Sequence, residues 1–231
     1  MEYVVKPLKE EKDNLKWEHP LLPKPPFRIC TIAASSSGKS VLTAYMFGSG
    51  EMPYKAYFKS NIFIFSPTAK IGSMDIPGIK KQNIFDTFDI ETVSSIMKEQ
   101  EDLIHRYKRK IPLLYILDDV VSDLTQQRKD ALKKLFFHGR HLAISMVVLS
   151  QQYRAIPKSV RTNASHMILM NLSNQGERKS VSEEQPFHEQ KFLRIVDHAL
   201  EDQQFSFLVI SYANPKGKKL QLRLSSTYYS I

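Results

Sequence analysis

The 231-residue sequence holds a single cysteine, Cys30. One thiol closes no internal disulfide and builds no cysteine-rich metal site. A stapled secreted scaffold is therefore excluded, and a reducing compartment is indicated. The seven histidines fall at no zinc-ligand spacing. No apolar run approaches the roughly 20 residues that a bilayer-spanning helix needs, so no integral membrane segment is expected. The opening stretch MEYVVKPLKEEKDNLKWEH lacks the apolar core of a secretion signal. No internal repeat, base-reading motif or separate nuclease-like carboxylate cluster is present.

What is present is positive charge. Lysine and arginine number 33 against 24 acidic residues, a net charge of +9. That balance favours anionic partners, nucleic acid before an anionic membrane surface. Lysine-rich solvated faces would give the same total, so charge alone does not choose. The basic residues gather at 106–110, 128–134, 154–161 and 216–223 and form no long polybasic tail.

The length suits one well-packed α/β domain. Residues 1–26 end in PLLPKPP, which neither helix nor central strand accommodates, and read as an N-terminal arm. Residues 27–231 then alternate two kinds of segment. FRICTIAA (27–34), NIFIFSP (61–67), PLLYILDDVV (112–121), LAISMVVLSQ (142–151), HMILMNL (166–172), SFLVISYA (206–213) and LQLRLSS (220–226) are apolar with little alternation, as strands buried on both faces should be. Helices are predicted at 39–47, 90–110, 126–138 and 188–203, the last with Phe192, Ile195, Val196, Ala199 and Leu200 at helical spacing. The alternation predicts a three-layer α/β fold around a largely parallel central sheet. The last two runs, joined by ANPKGKK, predict a C-terminal β-hairpin extension. The polar stretch 173–186 reads as a mobile loop.

The sharpest motif is AASSSGKS (33–40), between a predicted strand and a predicted helix. It matches the phosphate-binding pattern G-x-x-x-x-G-K-[ST] with Ala33 at the first glycine. Residues Ala34, Ser35, Ser36, Ser37, Gly38, Lys39, Ser40 and Val41 would hold the nucleotide, ATP. Gly38 allows the tight turn that aims successive N–H groups at phosphate oxygens, backed by a helix N-terminus. Lys39 would reach the β- and γ-phosphates, and the Ser40 hydroxyl would ligate Mg²⁺. If position 33 needs a positive φ, alanine there costs about 1 kcal/mol. That departure keeps open a structural protein that retains the fold without hydrolysing.

LLYILDDVV (113–121) is an apolar strand ending in two aspartates. Carboxylates there are costly unless a cation neutralises them. Asp118 would hold Mg²⁺ and Asp119 would orient or activate the attacking water. A further strand, Ala143 to Leu149, runs into Ser150 and Gln151, and Gln151 is the candidate sensor of the γ-phosphate.

AASSSGKS, LYILDD and GRHLAISMVVLSQ…IPKSVRTNAS together resemble the FtsK–HerA superfamily, a RecA-like P-loop group. They resemble in particular the genome-packaging ATPases of poxviruses, other large DNA viruses and virophages. The resemblance spans about residues 25–229. It implies an ATP-hydrolysing translocase that drives double-stranded DNA into a preformed capsid. It also implies a homo-oligomeric ring, hexamer or pentamer, docked on a capsid or vertex protein, working in the host cytoplasm or viral factory and in the virion. In such rings an arginine of one subunit meets the γ-phosphate held by the next, and Arg140 and Arg161 are the candidates. Lys158, Lys216, Lys218 and Lys219 would contact DNA phosphates. A helicase or chromosome-pumping ATPase shares the same motifs.

Overall fold

The structure, a computed structural model, describes residues 17, 19–69, 72, 74–108, 110–122, 124–172, 174–201, 203–215 and 217–230. Nine strands form one sheet: β1 (Arg28–Ile32), β2 (Ile62–Phe65), β3 (Ile84–Phe85), β4 (Leu113–Asp118), β5 (Ile144–Ser150), β6 (His166–Leu169), β7 (Leu208–Ser211), β8 (Leu220–Leu222) and β9 (Tyr228–Tyr229). Among the described residues seven α-helices accompany them: α1 (Lys39–Gly48), α2 (Pro53–Phe58), α3 (Ile90–Tyr107), α4 (Gln126–His138), α5 (Lys158–Arg161), α6 (Gln175–Glu183) and α7 (Glu189–Glu201).

The strand order is β3-β2-β4-β5-β1-β6-β7-β8-β9. The first six strands run parallel, and the last three pair antiparallel. This is the expected α/β architecture, largely parallel and with the expected C-terminal hairpin, β7–β8, to which β9 adds one more strand. Every residue of β1, β4 and β5 is buried, which explains their unbroken Ile, Val and Leu content.

Residues alternate between two packing layers. Cys30 and Ile32 of β1 join Leu132, Leu135 and Phe136 of α4 and Phe192, Val196 and Ala199 of α7. Ile29 and Ala33 point the other way, to Met46 and Phe47 of α1 and Tyr54 and Phe58 of α2. Each of these large side chains contributes about 1.5–3 kcal/mol by leaving water. Beneath α1 and α2, Phe27 meets Tyr54 at 5.5 Å between ring centres. The described part of the arm closes over this cluster: Trp17 stacks on Tyr54 at 4.8 Å, and the Tyr54 hydroxyl donates to Pro23 O at 2.7 Å. Residues 1–16 and 18 of the arm lie outside the described residues.

Two departures from expectation have simple causes. Helix α2 is only PYKAYF, too short to show a period, although Pro53 stands at its start, where its missing N–H costs nothing. The stretch expected to be a mobile loop instead holds α6. The Asn174 side chain caps it by accepting from Glu177 N, and Val181 and Ser182 are its buried residues.

Candidate functional site

The parallel registers set the site. Ile32 pairs with Ser150 and Asp118 with Leu149, so the residues that follow β1, β4 and β5 emerge along one edge of the sheet. The loop after β1 is tied to strands on both sides: Ala33 N donates to Ser150 O at 3.1 Å and Ala34 N to Asn171 O at 2.7 Å. Its positive φ angles fall on Ser36 (59°) and Gly38 (87°). Alanine at 33 therefore meets no left-handed requirement, and the strain allowed for at that position does not arise. Helix α1 begins at Lys39 with no side-chain cap and no acidic residue in its first turn. Its leading N–H groups are thus left for an anion. Ser40, half-buried, and Val41, 73% exposed, begin that helix.

Lys39 is buried, and its ammonium lies 3.0 Å from Asp119 Oδ2. The same oxygen accepts a hydrogen bond from Gln151 Nε2 at 3.0 Å. Three residues selected from distant parts of the sequence therefore meet at one atom. Asp119 achieves this with φ of 52°, a left-handed turn that aspartate tolerates, while its N–H still donates to Leu149 O. A cavity of about 200 Å³, lined by Asp119, Ser122, Ser150, Gln151, Gln152 and Ala155, opens beside this group.

Asp118 is buried at the end of β4. Its Oδ2 accepts from the Ser66 hydroxyl at 3.1 Å, whereas Oδ1 has no partner. Burial first, then the neighbouring Asp119, push its carboxyl above the usual range, with Lys39 and Ser66 opposing. A buried carboxylate with an unsatisfied oxygen beside a second carboxylate fits a divalent cation, whose charge would offset both penalties. Ser66 was not a sequence candidate. Only the adjacency of β2 to β4 places it there.

The two arginine candidates separate sharply. Arg161 is buried and already paired within its own chain. Its Nε donates to Glu184 Oε2 at 3.0 Å and its Nη2 to Glu184 Oε1 at 2.5 Å. Its Nη1 donates to Ile156 O, and its guanidinium lies 4.5 Å from the Tyr153 ring centre. Glu184 in turn is held below the usual carboxylate range, chiefly by Arg161. Tyr153 completes the group, donating its hydroxyl to Glu184 at 2.9 Å and its N–H to Glu177 at 2.7 Å. Arg161 thus fastens the segment after β5 to α6.

Arg140 is exposed, and its Nη2 reaches Asn163 O at 3.3 Å. It precedes β5, at the strand ends opposite the phosphate loop. Seven residues of strand, roughly 20 Å at about 3.3 Å each, separate it from its own Gln151. The glycine beside it has a structural reason. A Cβ on Gly139 would lie 2.6 Å from Leu135 O and 3.0 Å from Arg28 Nη2. Arg28 itself is fully buried and donates to Phe27, Phe136 and Ile144 carbonyls, with its pKa pulled down to about 9 by burial and then by Arg140.

Lys158 is exposed at the start of α5. Lys218 and Lys219 occupy the β7–β8 turn. Since Ser211 of β7 pairs with His166 of β6, that turn also stands at the strand ends away from the phosphate loop. Lys216 lies outside the described residues. Among the described residues, no helix is long and apolar enough to cross a membrane.

The model of the family described as Poxvirus A32 protein matches residues 14–210. The DNA packaging protein OPG160 of variola virus is 30% identical over 156 residues, which cover 65% of this chain and 55% of that protein. The vaccinia virus protein of the same name matches to the same extent. The chain thus spans about half the length of these relatives. Among solved structures, the genome packaging NTPase B204 of Sulfolobus turreted icosahedral virus 2, in complex with ATP-γS, superposes with a TM-score of 0.58 at 13% identity. That match covers 87% of this chain and 97% of the other. EssC (ATPases 2 and 3) of Geobacillus thermodenitrificans gives 0.57 at 14% identity, over 81% of this chain and 38% of that one. At these identities the two likenesses establish the fold.

Proposed function

The chain belongs to the Poxvirus A32 protein family, and on that premise we propose that it is an ATP-hydrolysing motor that moves double-stranded DNA into a virus particle. The carrying observation is the meeting of Lys39, Asp119 and Gln151 at one carboxylate oxygen, next to the unpartnered oxygen of Asp118. The DNA packaging proteins among its relatives, 30% identical, supply the biological direction.

The residues divide the work as follows. The N–H groups of 34–41 and the Lys39 ammonium take the triphosphate, and Lys39 exchanges Asp119 for the β- and γ-phosphates as it does so. Ser40 and Asp118 would hold Mg²⁺, which would draw negative charge off the phosphoryl oxygens. Asp119, released from Lys39, orients the attacking water and accepts its proton, and Gln151 stays within reach of both the water and the γ-phosphate. Arg140 acts in trans, since its exposed side chain stands too far from its own loop. This requires a ring, in which one subunit's lower strand ends face the next subunit's nucleotide. Residues 27–231 form the ATPase domain and 1–26 an N-terminal arm, whose described part packs on Tyr54. Lys158, Lys218 and Lys219, with Lys216, supply phosphate contacts to DNA that carry no sequence preference. The site of action is the viral factory, with capsid or vertex protein as the dock.

The test is the ATPase rate of the purified chain with and without double-stranded DNA, over a range of protein concentrations. DNA-stimulated turnover that rises cooperatively with concentration is expected, and Lys39→Ala should abolish it in a folded protein. Turnover indifferent to both DNA and concentration would refute the ring motor. Absence of turnover under all conditions would leave a structural protein.

A further inference from the structure

Phe205 is an exposed aromatic that neither the core nor the motor chemistry accounts for. It is 59% exposed, yet it is held in place. Ser206 N donates to Gln203 O at 3.0 Å, closing a turn in which Phe205 has a φ of 61°. A bulky side chain rarely takes that conformation, which ordinarily falls to glycine or asparagine in such turns. The ring does not simply face solvent. Its Cδ1 is 3.2 Å from where a Cβ on Gly38 would stand, with Met170 Cε at 3.7 Å. Phe205 therefore lies against the last glycine of the phosphate loop, one helical turn from exposed Val41.

The sheet order says what belongs there. Asp119 and Gln151 follow β4 and β5, on one side of β1, and they fix the γ-phosphate end of a bound nucleotide. Met170 follows β6 and Phe205 precedes β7, on the other side of β1. A triphosphate running along the loop must send its ribose and base out toward β6 and β7. An exposed, pre-positioned ring meets it there, and its face matches the face of a base. We infer that Phe205 is the stacking platform for the nucleotide base, with Val41 closing the apolar slot.

This inference rests on the nucleotide reading above, and its test separates the two. Binding of ATP and of inorganic tripolyphosphate, both with Mg²⁺, is measured by calorimetry on the native chain, Phe205→Ala and Phe205→Trp. Phe205→Ala should weaken ATP roughly 5- to 150-fold, the range for losing one base-stacking aromatic. Tripolyphosphate, which has no base, should bind all variants alike. Phe205→Trp should keep ATP affinity, and its fluorescence should be quenched by ATP and not by tripolyphosphate, after subtracting the native Trp17 signal. Unchanged ATP affinity in Phe205→Ala overturns the platform. Equal loss for both ligands also overturns it, assigning Phe205 to shaping the loop. A native chain that binds neither ligand overturns the nucleotide reading itself.

Discussion

Replacing Arg161 with alanine should lower the stability of the fold and leave the chemistry of catalysis untouched. The side chain is 6% exposed and its partner Glu184 is 27% exposed. Its loss strands the Ile156 carbonyl and removes both arginine hydrogen bonds to Glu184, which then keeps only Tyr153 OH as a donor in this group. Breaking a fully buried pair costs about 3–5 kcal/mol. Water can reach Glu184, so about 2–3 kcal/mol is expected here. For a chain of this size that is about 4–12 °C in melting temperature. Arg140→Ala, which removes one long hydrogen bond at the surface, should shift stability by less than about 0.5 kcal/mol. Its turnover, however, should fall by ~10³ or more with ATP binding retained, as for other arginines acting in trans. Mixing tests the assignment directly. Arg140→Ala subunits keep an intact loop, and Lys39→Ala subunits keep Arg140, so mixed rings should recover turnover that neither variant has alone. An Arg161→Ala protein that melts like the native chain, hydrolyses nothing and is rescued by Lys39→Ala would refute the reasoning.

Ser66→Ala should raise the Mg²⁺ concentration needed for half-maximal turnover by about 10-fold or more, because Asp118 loses the donor that orients it; a magnesium titration at saturating ATP checks this. Gly139→Ala should destabilise by about 1–3 kcal/mol in denaturant unfolding, since the new Cβ meets a main-chain carbonyl at 2.6 Å. His166, with its pKa pulled down to about 4 by burial, is neutral in the fold while an unfolded chain protonates it near 6.5. The unfolded state thus binds more protons between pH 6.5 and 4, and stability should fall on acidification through that window by about 3 kcal/mol, a dependence that His166→Gln should flatten.

The chemistry was legible wherever it is local. A phosphate loop is a contiguous turn, so AASSSGKS announces it, and DD at a strand end announces itself through the cost of burying two carboxylates. Ser66 was hidden because its role comes from strand order, and nothing in IFIFSP says that β2 lies beside β4. The pairing of Arg161 was hidden because its partner lies 23 residues away, in a stretch that looked like loop. That stretch hid α6 because the helix has few buried residues, Val181 and Ser182 among them, and so shows no apolar period; its Asn174 cap on Glu177 N is local and was the one signal in the sequence, while its links to Tyr153 and Arg161 are tertiary. Phe205 carried no signal at all, since one phenylalanine in QQFSF looks like any other core residue.

Among the described residues the sheet begins at Ile84–Phe85 and ends at Tyr228–Tyr229, two residues at either margin. A margin so short offers a neighbour only a couple of main-chain hydrogen bonds, so copies of the chain cannot zip together into a continuous ribbon. In the proposed ring, contacts between copies would then be made by side chains on helices and loops. Such joints would slide and re-form without tearing a ladder, letting one copy shift against the next many times over while each sheet stays whole.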